Sequence, residues 1–236
     1  MKYIKLFEST TEIEIAKICE QYGIKNWSIN KDGLVDVDGS VRLNYRNLTK
    51  LPLRFGIVTG DFYCRDNKLT TLEGAPKEVG GGFFCYNNNL TTLEGGPKEV
   101  GGAFYCDHNK LTTLEGAPQE VGGSFICRCN NLTTLEGAPQ EVGGSFLCYY
   151  NNLATLKWAP EYIDGKVDFL PNSNLPIEFL NFLRLNDYKP EIQTYILKWQ
   201  KDYAIWRKDG SFNKANFIRM MEDAQDELKI KIKFPK

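Results

Sequence analysis

The chain has 236 residues, of which 42% are hydrophobic and 25% are charged, and its formal net charge is −1. This composition is typical of a globular protein rather than a disordered one. A net charge so close to zero gives no overall field that would attract nucleic acid or an anionic membrane surface. No apolar run approaches the roughly 20 residues of a membrane span, so we expect neither nucleic acid nor membrane as a partner.

The N-terminal segment, residues 1–26, predicts a short capping helix. Its start, MKYIKLFESTTE, lacks the apolar core and small-residue cleavage site of a secretory signal. Residues 12–22 have helical periodicity, Thr11 and Glu14 fit a capping box, and Gly23 is a stop signal. One face of this helix would carry Ile13, Ala16, Ile18 and Cys19. We expect it to cover the edge of the first strand that follows.

Residues 27–175 are dominated by a 21-residue repeat. The tract LTTLEGAPKEVGGGFFCYNNN begins at Leu69, and related tracts begin at Leu90, Leu111, Leu132 and Leu153. A degenerate copy begins at Leu48, and a half-copy, VDVDGSVRLNYRN, precedes it. Each unit predicts one short strand in its F-x-C-x-x-N segment and a turn-rich return. One such unit cannot bury its own apolar face, whereas a stack of units can.

Alternation along each strand directs the Phe and Cys side chains inward. The following Asn recurs because an amide can donate and accept hydrogen bonds at a buried turn. Leucines of LTTL and the valine of P-x-E-V complete the core, and Gly-Gly and Gly-Ala-Pro predict a tight return arc. The Phe/Cys pairs are Phe62 and Cys64, Phe83 and Cys85, Phe104 and Cys106, Phe125 and Cys127, and Phe146 and Cys148. The asparagines are Asn67, Asn88, Asn109, Asn130 and Asn151.

The spacing L-x-x-L…P-x-x-V…F-x-C-x-x-N-x-L resembles the leucine-rich repeat, in particular the short, proline-containing bacterial type found in effectors of enteric pathogens. Together with the preface SINKDGLVDVDGSV, it is similar to leucine-rich-repeat proteins of tailed phages. The resemblance covers residues 24 to 175, and the Phe/Cys pair replaces the usual leucines. It implies an α/β repeat solenoid with one curved parallel sheet and helical caps at both ends.

Residues 176–236 predict two or three amphipathic helices, which would form a C-terminal cap or subdomain. One apolar stripe of helical spacing precedes the turn KDGS and another follows it. The first stripe consists of Ile192, Tyr195, Ile196, Trp199, Tyr203 and Trp206, and the second of Phe217, Met220, Met221, Ala224 and Leu228. The tail IKIKFPK alternates like a strand whose lysines face outward.

The reactive residue types do not assemble into a convincing catalytic or metal site. Five cysteines at 21-residue spacing would lie along a line, whereas a metal needs converging ligands, so we expect buried thiols, no cofactor and a reducing, cytoplasmic compartment. Cys129 falls outside that line, and the single histidine, His108, is more typical of a surface residue. Two glutamate columns, Glu73 to Glu136 and Glu78 to Glu141, predict a solvated convex face rather than a calcium site.

The positions at which the repeats differ are the best candidates for a partner-binding site. Alternation directs two rows of side chains outward, onto the concave face of the sheet. The first row, between Phe and Cys, is Tyr63, Phe84, Tyr105, Ile126 and Leu147. The second row, after Cys, is Arg65, Tyr86, Asp107, Arg128 and Tyr149. Aromatic and aliphatic residues flanked by arginine are typical of protein-binding surfaces, although the first row could instead pack against neighbouring strands or caps.

These features predict a non-enzymatic protein-binding module, and the resemblance implies that it is phage-encoded and acts in the bacterial host cytoplasm. Two alternatives remain at this stage. In effector proteins a similar array precedes a ligase domain with a catalytic cysteine, but residues 176–236 contain no cysteine. The second alternative is a virion component, because MKYIKLFE resembles capsid-targeting segments that end in an L-x-E cleavage site, here Leu6 to Glu8. The sequence leaves the partner's identity and the oligomeric state open.

Overall fold

The computed structural model describes residues 11–172 and 174–235. The capsid-targeting hypothesis therefore concerns a segment outside the described residues. Helix α1 (Glu12–Tyr22) begins at the predicted capping box, in which Thr11 and Glu14 exchange hydrogen bonds, and ends at Gly23 in the left-handed conformation. Its buried residues are Ile15 and Cys19, whereas Ile13 is 68% exposed, so the predicted apolar face was wrong about Ile13.

The repeats form two parallel sheets, not one. β1 (Trp27–Ile29) pairs antiparallel with β2 (Val35–Val37), and the other pairings between strands of the two sheets are parallel. The eight-stranded sheet has the order β1-β2-β4-β6-β8-β10-β12-β14, and the seven-stranded sheet has the order β15-β13-β11-β9-β7-β5-β3. Each turn of this parallel solenoid thus contributes one strand to each sheet.

The eight-stranded sheet is formed largely by the Glu-Val pairs that the sequence assigned to the return arc. Its parallel strands are β4 (Phe55–Val58), β6 (Glu78–Val79), β8 (Glu99–Val100), β10 (Glu120–Val121), β12 (Glu141–Val142) and β14 (Tyr162–Ile163). In β6, β8, β10 and β12 the valine is buried and the glutamate exposed. Period-2 alternation therefore holds even in these two-residue strands.

The seven-stranded sheet is formed by the predicted Phe-containing segments. Its strands are β3 (Val41–Arg42), β5 (Phe62–Tyr63), β7 (Phe83–Phe84), β9 (Phe104–Tyr105), β11 (Phe125–Ile126), β13 (Phe146–Leu147) and β15 (Val167–Asp168). The ladder of backbone hydrogen bonds continues through the cysteine, because Cys64 N–H donates to Phe84 O at 2.9 Å.

The core lies between the two sheets, and its repeated side chains stack from turn to turn. The five repeat phenylalanines and the five cysteines beside them are fully buried, as predicted. Neighbouring phenylalanine rings are stacked with centroids 5.3 to 6.0 Å apart. Both leucines of each L-x-x-L are buried in the five complete repeats. All seven cysteines are free.

The repeat asparagines form a ladder that joins successive turns. Asn109 Nδ2 donates to the carbonyls of Cys85 and Cys106, both at 3.1 Å, while its Oδ1 accepts from Leu90 N–H at 3.0 Å. The same pattern recurs at Asn88, Asn130 and Asn151. This confirms the prediction that an amide satisfies the backbone groups of a buried turn.

Three helices follow the last turn. They are α2 (Ile177–Leu185), α3 (Pro190–Trp199) and α4 (Lys214–Leu228). The Phe179 ring on α2 lies 6.2 Å from that of Phe169 in the last turn, and α3 packs against β15. Because α3 ends at Trp199, the first predicted stripe does not continue as a helix to Trp206.

The C-terminal tail forms no strand over residues 230–235, although its alternating pattern predicts one. Ile232 is buried, and the side chain of Asn186 exchanges hydrogen bonds with the backbone of Lys233. Lys231 and Lys233 of the tail are exposed, as predicted. Across residues 11–172 and 174–235, no helix has the length and apolarity needed to cross a bilayer.

Candidate functional site

The two predicted rows lie side by side on the outward face of the seven-stranded sheet. Strand register aligns the first row directly, since Tyr63 pairs with Phe84, Phe84 with Tyr105, and Ile126 with both Tyr105 and Leu147. All five members of the first row are partly buried. The inward neighbours of each position, Phe and Cys, are fully buried, so the alternation inferred from the sequence holds on this sheet.

Members of the first row contact one another along the solenoid. The rings of Tyr63 and Phe84 are stacked with centroids 4.8 Å apart, and Phe84 meets Tyr105 edge-on at 5.2 Å. Tyr63 Oη donates to Asp61 Oδ2 at 2.8 Å. Partial burial and this hydrogen bond raise the pKa of Tyr63. Packing between neighbours thus accounts for part of the burial, while each side chain keeps exposed surface.

The second row contains two arginine–tyrosine pairs in which the guanidinium contacts the ring, Arg65 with Tyr86 and Arg128 with Tyr149. The Arg65 guanidinium is bonded to Asp66 at 2.6 Å and lies over the Tyr86 ring at 5.3 Å. Arg128 donates to the hydroxyl of Tyr149 and lies over its ring at 5.5 Å. Cation–π contacts of this kind hold an arginine in place while leaving its remaining N–H groups able to bind a partner.

Asp107 differs from the rest of the second row because it is only 5% exposed. Its Oδ2 lies 2.8 Å from His108 Nδ1 and 3.6 Å from Arg128 Nε. The second distance is too long for a hydrogen bond, and Arg128 Nε is buried without a hydrogen-bond partner. Asp107 therefore supports the side chains around it, and the exposed groups at this point are His108 and Arg128, whose side chains are 46% and 38% exposed.

A third column of residues lies one position after the second row in each turn. Its backbone has the left-handed conformation, which the sequence did not predict. Its φ angles lie between 52° and 58°. Its members are Tyr45, Asp66, Asn87, His108, Cys129 and Tyr150. Asp, Asn and His are the non-glycine residues most often found there, which explains the presence of Asp66, Asn87 and His108 in this column.

Two further residues belong to the first row by strand register. Arg42 pairs with Tyr63 in β3–β5, and Asp168 pairs with Leu147 in β13–β15. Sequence reasoning missed both because the flanking turns lack the F-x-C motif. Their spacing could have identified them, since each lies 21 residues from the nearest member of the row.

The cysteines have the chemistry of core residues. Burial raises the pKa of the Cys64, Cys85, Cys106, Cys127 and Cys148 thiols. Burial also raises the pKa of Cys129, against the opposing effect of Arg128. A thiol with a raised pKa is a poor nucleophile because the thiolate is the reactive species.

The glutamates of the second column lie on the opposite, eight-stranded face, where Glu78 is in register with Glu99 and Glu120 with Glu141. This location replaces the predicted irregular arc, although the glutamates are exposed as expected. Within the part of the chain that the structure describes, no three His, Cys, Asp or Glu side chains are arranged to hold a metal ion.

Comparison with protein-family models, curated proteins and solved structures finds no match for the chain.

Proposed function

We propose that this chain is a non-enzymatic protein-interaction module whose partner binds the outward face of the seven-stranded sheet. The observation that carries the proposal is the first row itself, a continuous line of five large apolar side chains that stay partly exposed. Exposed aromatic residues beside arginines are the composition in which interface hot spots are enriched. The same strands bury their phenylalanines completely, so the outward aromatic residues are not needed to complete the core.

The finer identity of the fold is part of this proposal. A parallel solenoid with a 21-residue period is compatible with the leucine-rich repeat that the L-x-x-L and Asn positions resemble, and with a phage origin. The helix α1 and the helices α2 to α4 would serve as caps, since terminal turns of a solenoid need polar covers. The Phe169–Phe179 contact supports that role at the C-terminal end.

The chemistry of the chain supports a binding function rather than catalysis. Its five stacked thiols are buried with raised pKa values, and its single histidine is held by Asp107 in the second row. The free thiols also support a reducing compartment such as the cytoplasm.

Alanine substitution on the two faces tests this function. We expect Tyr105→Ala and Tyr86→Ala each to weaken partner binding by more than about 1 kcal/mol, as loss of an aromatic anchor does. Their melting temperatures should change little because neither side chain belongs to the fully buried core. The partner would be captured from extracts of the cells that produce the chain, identified by mass spectrometry and titrated against each variant.

The matched control is Tyr162→Ala on the eight-stranded face, where Tyr162 is 55% exposed. It should leave binding unchanged. Equal losses of stability and binding in the Tyr105 and Tyr86 variants would instead show that the rows are structural packing. Unchanged binding by both variants would move the site to the C-terminal helices, where Trp199 would be tested next.

A further inference from the structure

The first row ends in opposite charges. With the two residues added by strand register, the outward column begins with a cation, continues through five apolar side chains and ends with an anion. Its order is Arg42, Tyr63, Phe84, Tyr105, Ile126, Leu147 and Asp168. Tyr105 is at the centre, three turns from each end. If a second copy of this column runs in the opposite direction, the cation of each column lies opposite the anion of the other.

Both terminal charges are available to a partner. Arg42 is exposed, and its guanidinium lies over the Tyr63 ring at 4.6 Å. The Asp168 side chain is 26% exposed, and its Oδ1 accepts from Leu170 N–H at 3.3 Å. Its Oδ2 is 3.5 Å from Lys166 Nζ, whose side chain is 61% exposed. An ion pair so open to solvent contributes little, so Asp168 can exchange it for a better-shielded partner.

From this order we propose that two copies of the chain associate antiparallel through the outward faces of their seven-stranded sheets. The inference rests on the proposed function, since it uses the same face and names its occupant. A two-fold axis through Tyr105, perpendicular to the solenoid axis, sets each column against the same column of the second copy in reverse order. Arg42 of each copy then meets Asp168 of the other. A parallel arrangement would bring Arg42 against Arg42 and lose both ion pairs.

The second row is complementary in the same arrangement. In the antiparallel dimer, Arg65 of one copy lies against Tyr149 of the other, and Tyr86 of one copy lies against Arg128 of the other. These are the same arginine–tyrosine contacts that the chain already makes internally, with Arg65 over Tyr86 and Arg128 over Tyr149. Asp107 lies opposite itself, but its side chain is 7% exposed beneath its neighbours, so the two carboxylates do not meet at the surface.

The size of the face limits the surface area that the association can bury. Seven strands span about 29 Å along the solenoid axis. Stable interfaces of standard size bury about 800 Å² on each partner. A narrow strip of this length would bury less than that, as weak and transient complexes do, and we expect a reversible dimer.

Charge reversal tests the arrangement. The full-length chain and three variants, Arg42→Asp, Asp168→Arg and the double variant, would be compared by sedimentation equilibrium over a wide concentration range. Each single change produces two like-charge contacts across the interface and should raise the dimer dissociation constant at least tenfold. The double variant restores opposite charges and should return it to within about threefold of the unmodified chain. Glu99→Arg on the opposite face is the control and should have no effect.

Three results would overturn the dimer: an unmodified chain that stays monomeric at every concentration, a dimer that the single variants leave unchanged, or a double variant that is no stronger than the single ones. None of these would by itself remove the proposed function. If the chain is monomeric and Tyr105→Ala still loses a captured protein, the face binds a different partner. If Tyr105→Ala retains every captured protein and every dimer, the proposed function fails as well.

Discussion

The glycine that follows each Glu-Val pair has no room for a side chain, because the backbone of the preceding turn lies against it. A Cβ at Gly122 would overlap the carbonyl oxygen of Gly101, and a Cβ at Gly101 would overlap that of Gly80. Neither residue has a positive φ. The sequence predicts tight turns at these glycines, whereas in the structure they allow the backbones of successive turns to stack closely.

Gly122→Ala should therefore destabilise the protein by more than about 2 kcal/mol, because neither of the stacked backbones can move without disturbing the ladder. The measurement is urea unfolding at neutral pH. Gly82→Ala is the matched control, since the same position in later repeats is Ala103, Ser124 or Ser145, and its new Cβ would meet mainly the far end of the Phe84 ring. A loss at Gly82 as large as that at Gly122 would contradict the stacking explanation.

The left-handed column shows why some single positions could not be predicted. Asp66, Asn87 and His108 are residue types that favour this conformation, but Tyr45, Cys129 and Tyr150 are not. The conformation is imposed by the turn between the sheet and the asparagine ladder. With such mixed residue types, the sequence gives no consistent local preference to detect.

At the scale of the elements, each column of identical side chains is a single structural unit. The five buried cysteines lie between the stacked phenylalanines and the asparagine ladder, and the Asn109 side chain bonds to the backbone carbonyls of two of them. Burial raises the pKa of all five thiols. The column therefore couples the stability of the solenoid to pH.

The sign of that coupling follows from the direction of the shift. In the unfolded chain a thiol ionises near pH 8.5, whereas the folded thiols stay protonated well above that pH. The free energy of unfolding should hold its full value at neutral pH and fall as the pH rises above about 8.5. The slope should reach about 1.4 kcal/mol per pH unit for each buried thiol.

Urea unfolding at pH 7.5 and 9.5 under reducing conditions would measure this slope. Cys106→Ala should reduce the difference between the two pH values by the contribution of one thiol. Cys129→Ala should reduce it less, because Cys129 is only partly buried. If Cys106→Ala and the unmodified chain lose the same free energy between the two pH values, the coupling does not arise from the column.

An element could be predicted from the sequence only when its residue pattern was long enough to show a period. The phenylalanine strands were predictable because the Phe, Cys and Asn positions recur on one face at 21-residue spacing. The second sheet was not, because a Glu-Val pair is too short to show periodicity and lies between glycines and prolines that favour turns. Helix α3 ends at Trp199, before its apolar stripe does, and Tyr203 and Trp206 contribute to the core from the segment that follows the helix.

At the scale of the whole molecule, the solenoid has two faces of different chemistry. The seven-stranded face presents the first and second rows, while the eight-stranded face presents aligned glutamates beside a column of glycines. Aligned like charges oppose the docking of an acidic or apolar surface. The rows were predictable from alternation alone, but the buried position of Asp107 was not, because it depends on Arg128 and His108 in three dimensions.

The most direct test of the central claim, that the seven-stranded face is the binding surface, is site-specific photo-crosslinking. A photoreactive phenylalanine analogue would replace Tyr105 in one protein and Tyr162 in another, and each would be irradiated alone and in extracts of the producing cells. We expect crosslinked products from position 105 only, at twice the mass of the chain if the partner is a second copy. Products from position 162 alone, or equally from both positions, would contradict the claim.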